Sequence, residues 1–157
     1  MAVSASVQEF LRQSNIDYAV FRHAMAFTAQ EEAAYAHVPG RDWAKVVACF
    51  ADGTPILAVV PADRYVNLVE LARLANADDM RLATEDELDW LFPDCERGAM
   101  PPFGPMYRQA VYVDAALAGE SHIVFNAGTH VDAVSMRYQD LALLTHPTVG
   151  HFSMHVQ

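Results

Sequence analysis

The sequence of 157 residues predicts a mixed α/β fold around an irregular β-sheet, and three observations carry that expectation. Short β-type runs alternate with helical segments, but no βαβ repeat of constant period appears. Two capping boxes, Thr28-Ala-Gln-Glu31 and Thr84-Glu-Asp-Glu87, mark helix starts between those runs. Hydrophobic residues make up 53% of the chain and charged residues 19%, enough apolar material for one real core.

Each element has a local reason. Ser4 or Ser6 is placed to cap a first helix through about Ser14, with Val7, Phe10 and Leu11 at helical spacing. Asp17–His23 reads as a strand. The first capping box introduces an alanine-rich helix through about Ala36, and Pro39-Gly40-Arg41 ends that segment. Trp43–Phe50 and Pro55–Val60 are β-type runs joined through Asp52-Gly53, a hairpin signal. A helix is expected from Asp63, with Val66, Val69, Leu71 and Leu74 on its apolar face. Arg81–Ala83 reads as a short strand, and the second capping box starts a helix ending near Phe92-Pro93. Pro93–Pro105 holds four of the eight prolines and two glycines, a rigid loop of the kind on which sites are built. Gln109–Val113, Ser121–Asn126 and Val131–Met136 read as strands and Tyr138–Leu144 as a final helix. The tail from His146 is ambiguous. Without repeats, linkers or low-complexity tracts, residues 1–157 are expected to form one domain, with its core at about 7–144.

Composition excludes several function classes. No apolar run approaches the roughly 18–20 residues of a membrane-spanning helix. The N-terminus has no basic region and turns polar at Gln8, so a cytoplasmic protein is expected. A net charge of −10 opposes broad, non-specific DNA or RNA binding, though a few groups could still grip a nucleic-acid end. Cys49 and Cys95 lack CxxC spacing and read as a buried thiol and a bystander. His146, His151 and His155 invite a metal reading, but no acid or cysteine lies near them, and no metal is expected.

Lys45 is the only lysine, set in the apolar run Trp43-Ala-Lys-Val-Val-Ala-Cys-Phe50. An ammonium there must reach a pocket, find a partner or snorkel to solvent, because an unpaired buried charge is costly. Strand alternation puts Lys45 and Val47 on one face and Val46 and Ala48 on the other. It could bind an oxygen anion or carbonyl, or form a Schiff base. In Gly98-Ala-Met-Pro-Pro102-Phe-Gly104, glycine and proline could hold N–H groups toward a ligand oxygen, or simply form a surface turn. In Asn126-Ala-Gly-Thr-His130, Gly128 permits close backbone approach and His130 could donate a hydrogen bond or handle a proton.

Taken in order, Gly40-Arg-Asp-Trp-Ala-Lys45-Val-Val, the Gly98 to Gly104 segment and Val124-Phe-Asn-Ala-Gly-Thr-His130 resemble the YbaK family. That domain is also inserted in bacterial prolyl-tRNA synthetases and occurs as free-standing trans-editing proteins. The likeness runs from about Val7 to Leu144 and includes His23, Phe27-Thr28-Ala29, Phe92-Pro93-Asp94 and Met136-Arg-Tyr-Gln-Asp140-Leu. It implies a mixed, barrel-like β-sheet with surrounding helices. It also implies an aminoacyl-tRNA deacylase acting on the tRNA 3′ end, with an aminoacyl-tRNA synthetase as a further partner and no cofactor. Lys45 matches the family's essential lysine. Gly98 and Pro102 match its Gly-xxx-Pro loop, and Gly128 and His130 its Gly-x-His element. Phe27 and Val46 fall where members line the substrate pocket, which points to a small amino acid. Arg41 is the expected tRNA contact. A non-catalytic module binding aminoacyl-tRNA or a synthetase is the alternative of the same fold.

Overall fold

The computed structural model describes residues 5–23 and 38–155. Within them the helices are α1 (Ala5–Ser14), α2 (Leu68–Ala75), α3 (Glu85–Leu91), α4 (Ala115–Ala118) and α5 (Tyr138–Thr145). The strands are β1 (Tyr18–Arg22), β2 (Ala44–Ala51), β3 (Thr54–Pro61), β4 (Arg64–Val66), β5 (Met80–Leu82), β6 (Ala110–Asp114), β7 (His122–Asn126), β8 (Asp132–Arg137), β9 (Thr148–Gly150) and β10 (Ser153–His155). They make a mixed five-stranded sheet in the order β5-β2-β3-β6-β9, an antiparallel sheet β1-β8-β7, and a small β4–β10 pair. The α/β expectation holds.

The central hairpin follows from its turn. Asp52 and Gly53 both adopt left-handed backbone, with φ of 49° and 83°, the twist that lets β2 and β3 continue in register from Ala51↔Thr54 to Ala44↔Pro61. Alternation then divides the side chains between two cores. Ala44, Val46, Ala48, Leu57, Val59, Val111 and Val113 face the main core, where Ile123, Phe125, Val134 and Met136 of the second sheet and Val7 and Leu11 of α1 meet them. Cys49, Ile56, Ala58 and Val60 turn the other way, against Leu71 of α2 and Phe152.

Among the described residues one isolated backbone bridge joins the two larger sheets. Trp43, fully buried, forms an isolated parallel bridge with Val124, whose N–H donates to the Asp42 carbonyl at 3.0 Å. The sheets therefore wrap around the main core in a barrel-like way, with Trp43, Ala62, Val124 and Ala133 sealing the seam.

Several boundaries differ from expectation for physical reasons. The helix expected from Asp63 begins only at Leu68, because residues 64–66 pair with 153–155 and the Asn67 side chain caps the helix by accepting from Val69 and Glu70 N–H. Ser6 lies inside α1 rather than capping it, and its hydroxyl donates to the Asp94 carboxylate. The four-residue α4 was not expected; Asp114 caps it by accepting from the Ala116 N–H. The ambiguous tail supplies β9 and β10. The capping box at Thr84 forms as expected, with Glu87 reaching back to the Thr84 N–H. The Thr28 box and its helix lie outside the described residues.

Asn67→Ala is expected to lower unfolding free energy by about 1 kcal/mol. Urea titration should show this as a lower midpoint with an unchanged slope.

Candidate functional site

Lys45 reaches its position through the strand that Trp43 anchors. Two residues beyond the Trp43–Val124 bridge the parallel chains carry Lys45 on β2 and Asn126 at the end of β7. The strand period puts Trp43 and Lys45 on the face turned away from the main core. The ammonium is half-buried and donates to the Arg64 carbonyl at 2.5 Å. Burial lowers its pKa, because the charged form loses hydration, while the nearby Asp63 carboxylate opposes that shift. Sequence alternation anticipated this face correctly. The Lys45 ammonium is neither an apolar misfit nor a freely snorkelling tail; it is a cation held by a backbone carbonyl.

The two glycine-containing loops are brought together by their own backbones. Gly128 N–H donates to the Ala99 carbonyl at 2.9 Å, and Glu96 N–H donates to the Gly128 carbonyl at 2.8 Å. His130 N–H donates to Glu96 Oε1 and its Nε2 lies 2.6 Å from the Arg97 carbonyl. A carbonyl can only accept, so Nε2 carries the proton in this arrangement. Gly98 and Gly128 have φ of 80° and 98°, left-handed backbone that a side chain rarely adopts. A Cβ at Gly98 would sit 3.7 Å from His130 Cε1, an ordinary contact, so backbone conformation rather than crowding calls for glycine there.

Other anticipated residues fall in distinct places. Pro102, part of the Gly98 loop, is buried. Val46 points into the main core together with Met100, on the opposite face of β2 from Lys45. Phe27 lies outside the described residues. Arg41 is exposed, and its charge opposes the upward shift that burial and the neighbouring Asp42 impose on the Glu120 carboxyl. Cys95 sits 3.4 Å from the Tyr107 hydroxyl, and burial pushes its thiol up to about 12, far from a nucleophilic thiolate. The tail histidines do not gather with acids or cysteines into a metal-binding group among the described residues. A cleft of about 350 Å³ between Ala118–His122 and Arg137–Gln139 lies at the far ends of β7 and β8 from the His130 loop.

Four organisers of the site were missed. Arg97 holds Asp89, Glu85 and Asp86 of α3 through its guanidinium, while its carbonyl takes the His130 bond. Glu96 bonds the same loop. Thr129 Oγ1 donates to the buried Asp132 at 2.6 Å and accepts from the Asp132 N–H, which folds the chain around His130. The Thr-x-x-Asp spacing was a visible signal for this turn. The acids of α3 gave Arg97 its partners, but nothing local indicated that they would meet.

Residues 23–144 match the model of the aminoacyl-tRNA editing domain. The chain belongs to that family. The editing domain is 31% identical over 130 residues to a proline–tRNA ligase of Nitratidesulfovibrio vulgaris Hildenborough, an alignment covering 76% of this chain and 22% of the ligase. A proline–tRNA ligase of Lactobacillus gasseri is 27% identical over 100 residues, 64% of this chain and 18% of that protein. The chain thus spans about a fifth of the length of these relatives. Among solved structures, the hypothetical protein APE2540 superposes with a TM-score of 0.84 at 20% identity, covering 95% of this chain and 99% of that one. A proposed trans-editing enzyme for prolyl-tRNA synthetase gives 0.80 at 20% identity, covering 98% and 99%. These two likenesses establish the fold, which is that of the editing domain.

Gly98→Ala is expected to destabilise the editing domain by about 1–2 kcal/mol, the cost of forcing a Cβ into left-handed backbone. Gly98→Asn, which tolerates that conformation better, should cost less in the same urea titration.

Proposed function

We propose that this editing domain is an aminoacyl-tRNA deacylase acting in trans, which hydrolyses the ester between a wrongly attached small amino acid and the tRNA 3′ end. The observation that supports this most is the placing of a half-buried cation, Lys45, on the strand parallel to the one that leads into the Gly128–His130 loop. Ester hydrolysis builds negative charge on the carbonyl oxygen as water adds. A fixed ammonium in a partly desolvated site stabilises that charge more than it would in water. Lys45 is assigned that role.

The loops supply geometry. The N–H groups of Glu96, Ala99, Gly128 and His130 are engaged in holding the loops, Ala99 through the Glu96 carbonyl, and the amides of Gly98 and Met100 are proposed as donors to the substrate. His130 positions the Gly98 loop through the Arg97 carbonyl, so its Nε2 is a donor and not the base that activates water. The water proton is instead passed through a hydroxyl of the substrate's own ribose. Pro102 is proposed to stiffen the loop. Phe27 is kept from the sequence as a proposed apolar contact for the amino acid, whereas Val46 faces the main core and would act only through the strand. Arg41 is the proposed phosphate contact from the sequence, in competition with the acids beside it. The relatives are proline–tRNA ligases, so proline-specific tRNA heads the list of substrates, and such a ligase is the proposed working partner.

The decisive experiment incubates the protein and Lys45→Ala with a panel of mischarged tRNAs and follows amino-acid release. Loss of about 100-fold or more with Lys45→Ala supports the assignment. No hydrolysis by the parent protein across the panel would favour a non-catalytic aminoacyl-tRNA-binding module.

The pH profile offers a second check. Lys45 loses its charge as pH rises through its folded pKa, which burial places below the ordinary value of 10.5. After subtraction of uncatalysed ester hydrolysis, kcat/KM should fall on the alkaline side below that value. In Lys45→Arg, which stays charged, the fall should disappear even if overall activity is lower.

A further inference from the structure

We infer that Arg64, oriented by His155 and Ser153, forms an anion subsite beside Lys45 that holds the backbone phosphate next to the terminal ribose of the tRNA. This rests on the deacylase reading above. The small sheet creates the juxtaposition: Arg64 lies opposite His155 in the antiparallel β4–β10 register, and Ser153 shares their face. Arg64 Nη2 lies 3.2 Å from His155 Nε2, and Nη1 donates to Ser153 Oγ at 3.4 Å. Its carbonyl is the atom that holds the Lys45 ammonium, so the two cations are linked through one residue.

The kind of partner distinguishes Arg64. Arg12, Arg22, Arg73, Arg81, Arg97 and Arg137 are each paired with a carboxylate. Arg64 forms no ion pair among the described residues; it is steadied by a hydroxyl and an imidazole, which orient the guanidinium without cancelling its charge. Guanidinium only donates, so His155 Nε2 accepts in this bond. In a chain of net charge −10, the oriented guanidinium of Arg64 matches an anion better than Arg41, which stands beside Asp42 and Glu120; of the two cations at the subsite only Lys45 has a carboxylate near it, that of Asp63. A planar fork suits phosphate oxygens. The ester and the nearest phosphate of a tRNA end are separated by one ribose, so the substrate that presents one to Lys45 presents the other to its neighbour.

The test compares charged tRNA with aminoacyl-adenosine, which carries the ester and ribose but no phosphate. In Arg64→Ala the ratio of kcat/KM for tRNA over aminoacyl-adenosine should fall about tenfold. The slope of log affinity for uncharged tRNA against log salt should become shallower by about 0.7. Arg64→Lys should recover part of both, and Arg41→Ala should change the ratio less. Circular dichroism and melting of Arg64→Ala and Arg64→Lys check that β4–β10 stays folded; if Arg64→Ala fails to fold, Arg64→Lys and His155→Gln carry the ratio and slope measurements. An equal fall on both substrates, or an unchanged salt slope, overturns the subsite. If the parent protein hydrolyses neither substrate, the deacylase reading fails, and the salt slope of tRNA binding still decides whether Arg64 holds phosphate.

Discussion

The contact on which the rest of the molecule depends is the parallel bridge between Trp43 and Val124. Two sheets that share no continuous ladder meet there, and a fully buried indole occupies the seam. Because the strands run the same way there, both chains leave the bridge in one direction. Lys45 follows it on one side and the Asn126–His130 turn on the other. A site of this kind needs no long loop to bring its parts together. It needs two strands fixed at one point, and the strand period aims the side chains.

Past that point the molecule separates charge from structure. The amides of Glu96, Ala99, Gly128 and His130 are satisfied within the loops, so the Gly98 and Gly128 segments hold their left-handed turns without help from a ligand. The cations are sorted differently. Most arginines are neutralised at the surface by carboxylates, whereas Lys45 and Arg64 are held by neutral oxygen and nitrogen atoms. An acidic protein can then meet a polyanion at one place while repelling it elsewhere.

Much of this was legible residue by residue. The Asp52-Gly53 turn, the Thr84 capping box and the alternation around Lys45 are local signals, and local structure obeyed them. The family motifs located the glycine loops. What could not be read was anything set by distant pairing. Residues 64–66 look like the start of a helix until Ser153–His155 pairs with them, and neither segment has a pattern that announces the other. The same holds for β9, parallel to β6 at the sheet edge. The loop–loop bonds were also hidden, because a glycine that permits an unusual backbone does not reveal whether its N–H faces a ligand or the next loop. Arg64 was missed for a related reason: its significance lies in having no carboxylate partner among the described residues, which only three dimensions show.

Arg97 has an implication for how such a sequence can drift. Its guanidinium is tied to Glu85, Asp86 and Asp89 on an exposed helix, while its carbonyl receives the imidazole of His130. Helix α3 is otherwise a surface element with no fully buried residue, the kind of segment expected to vary freely. Here its acids are linked to the His130 loop through one residue, Arg97. Changes at positions 85, 89 and 97 are therefore expected to be coupled, each altering what the others have to pair with.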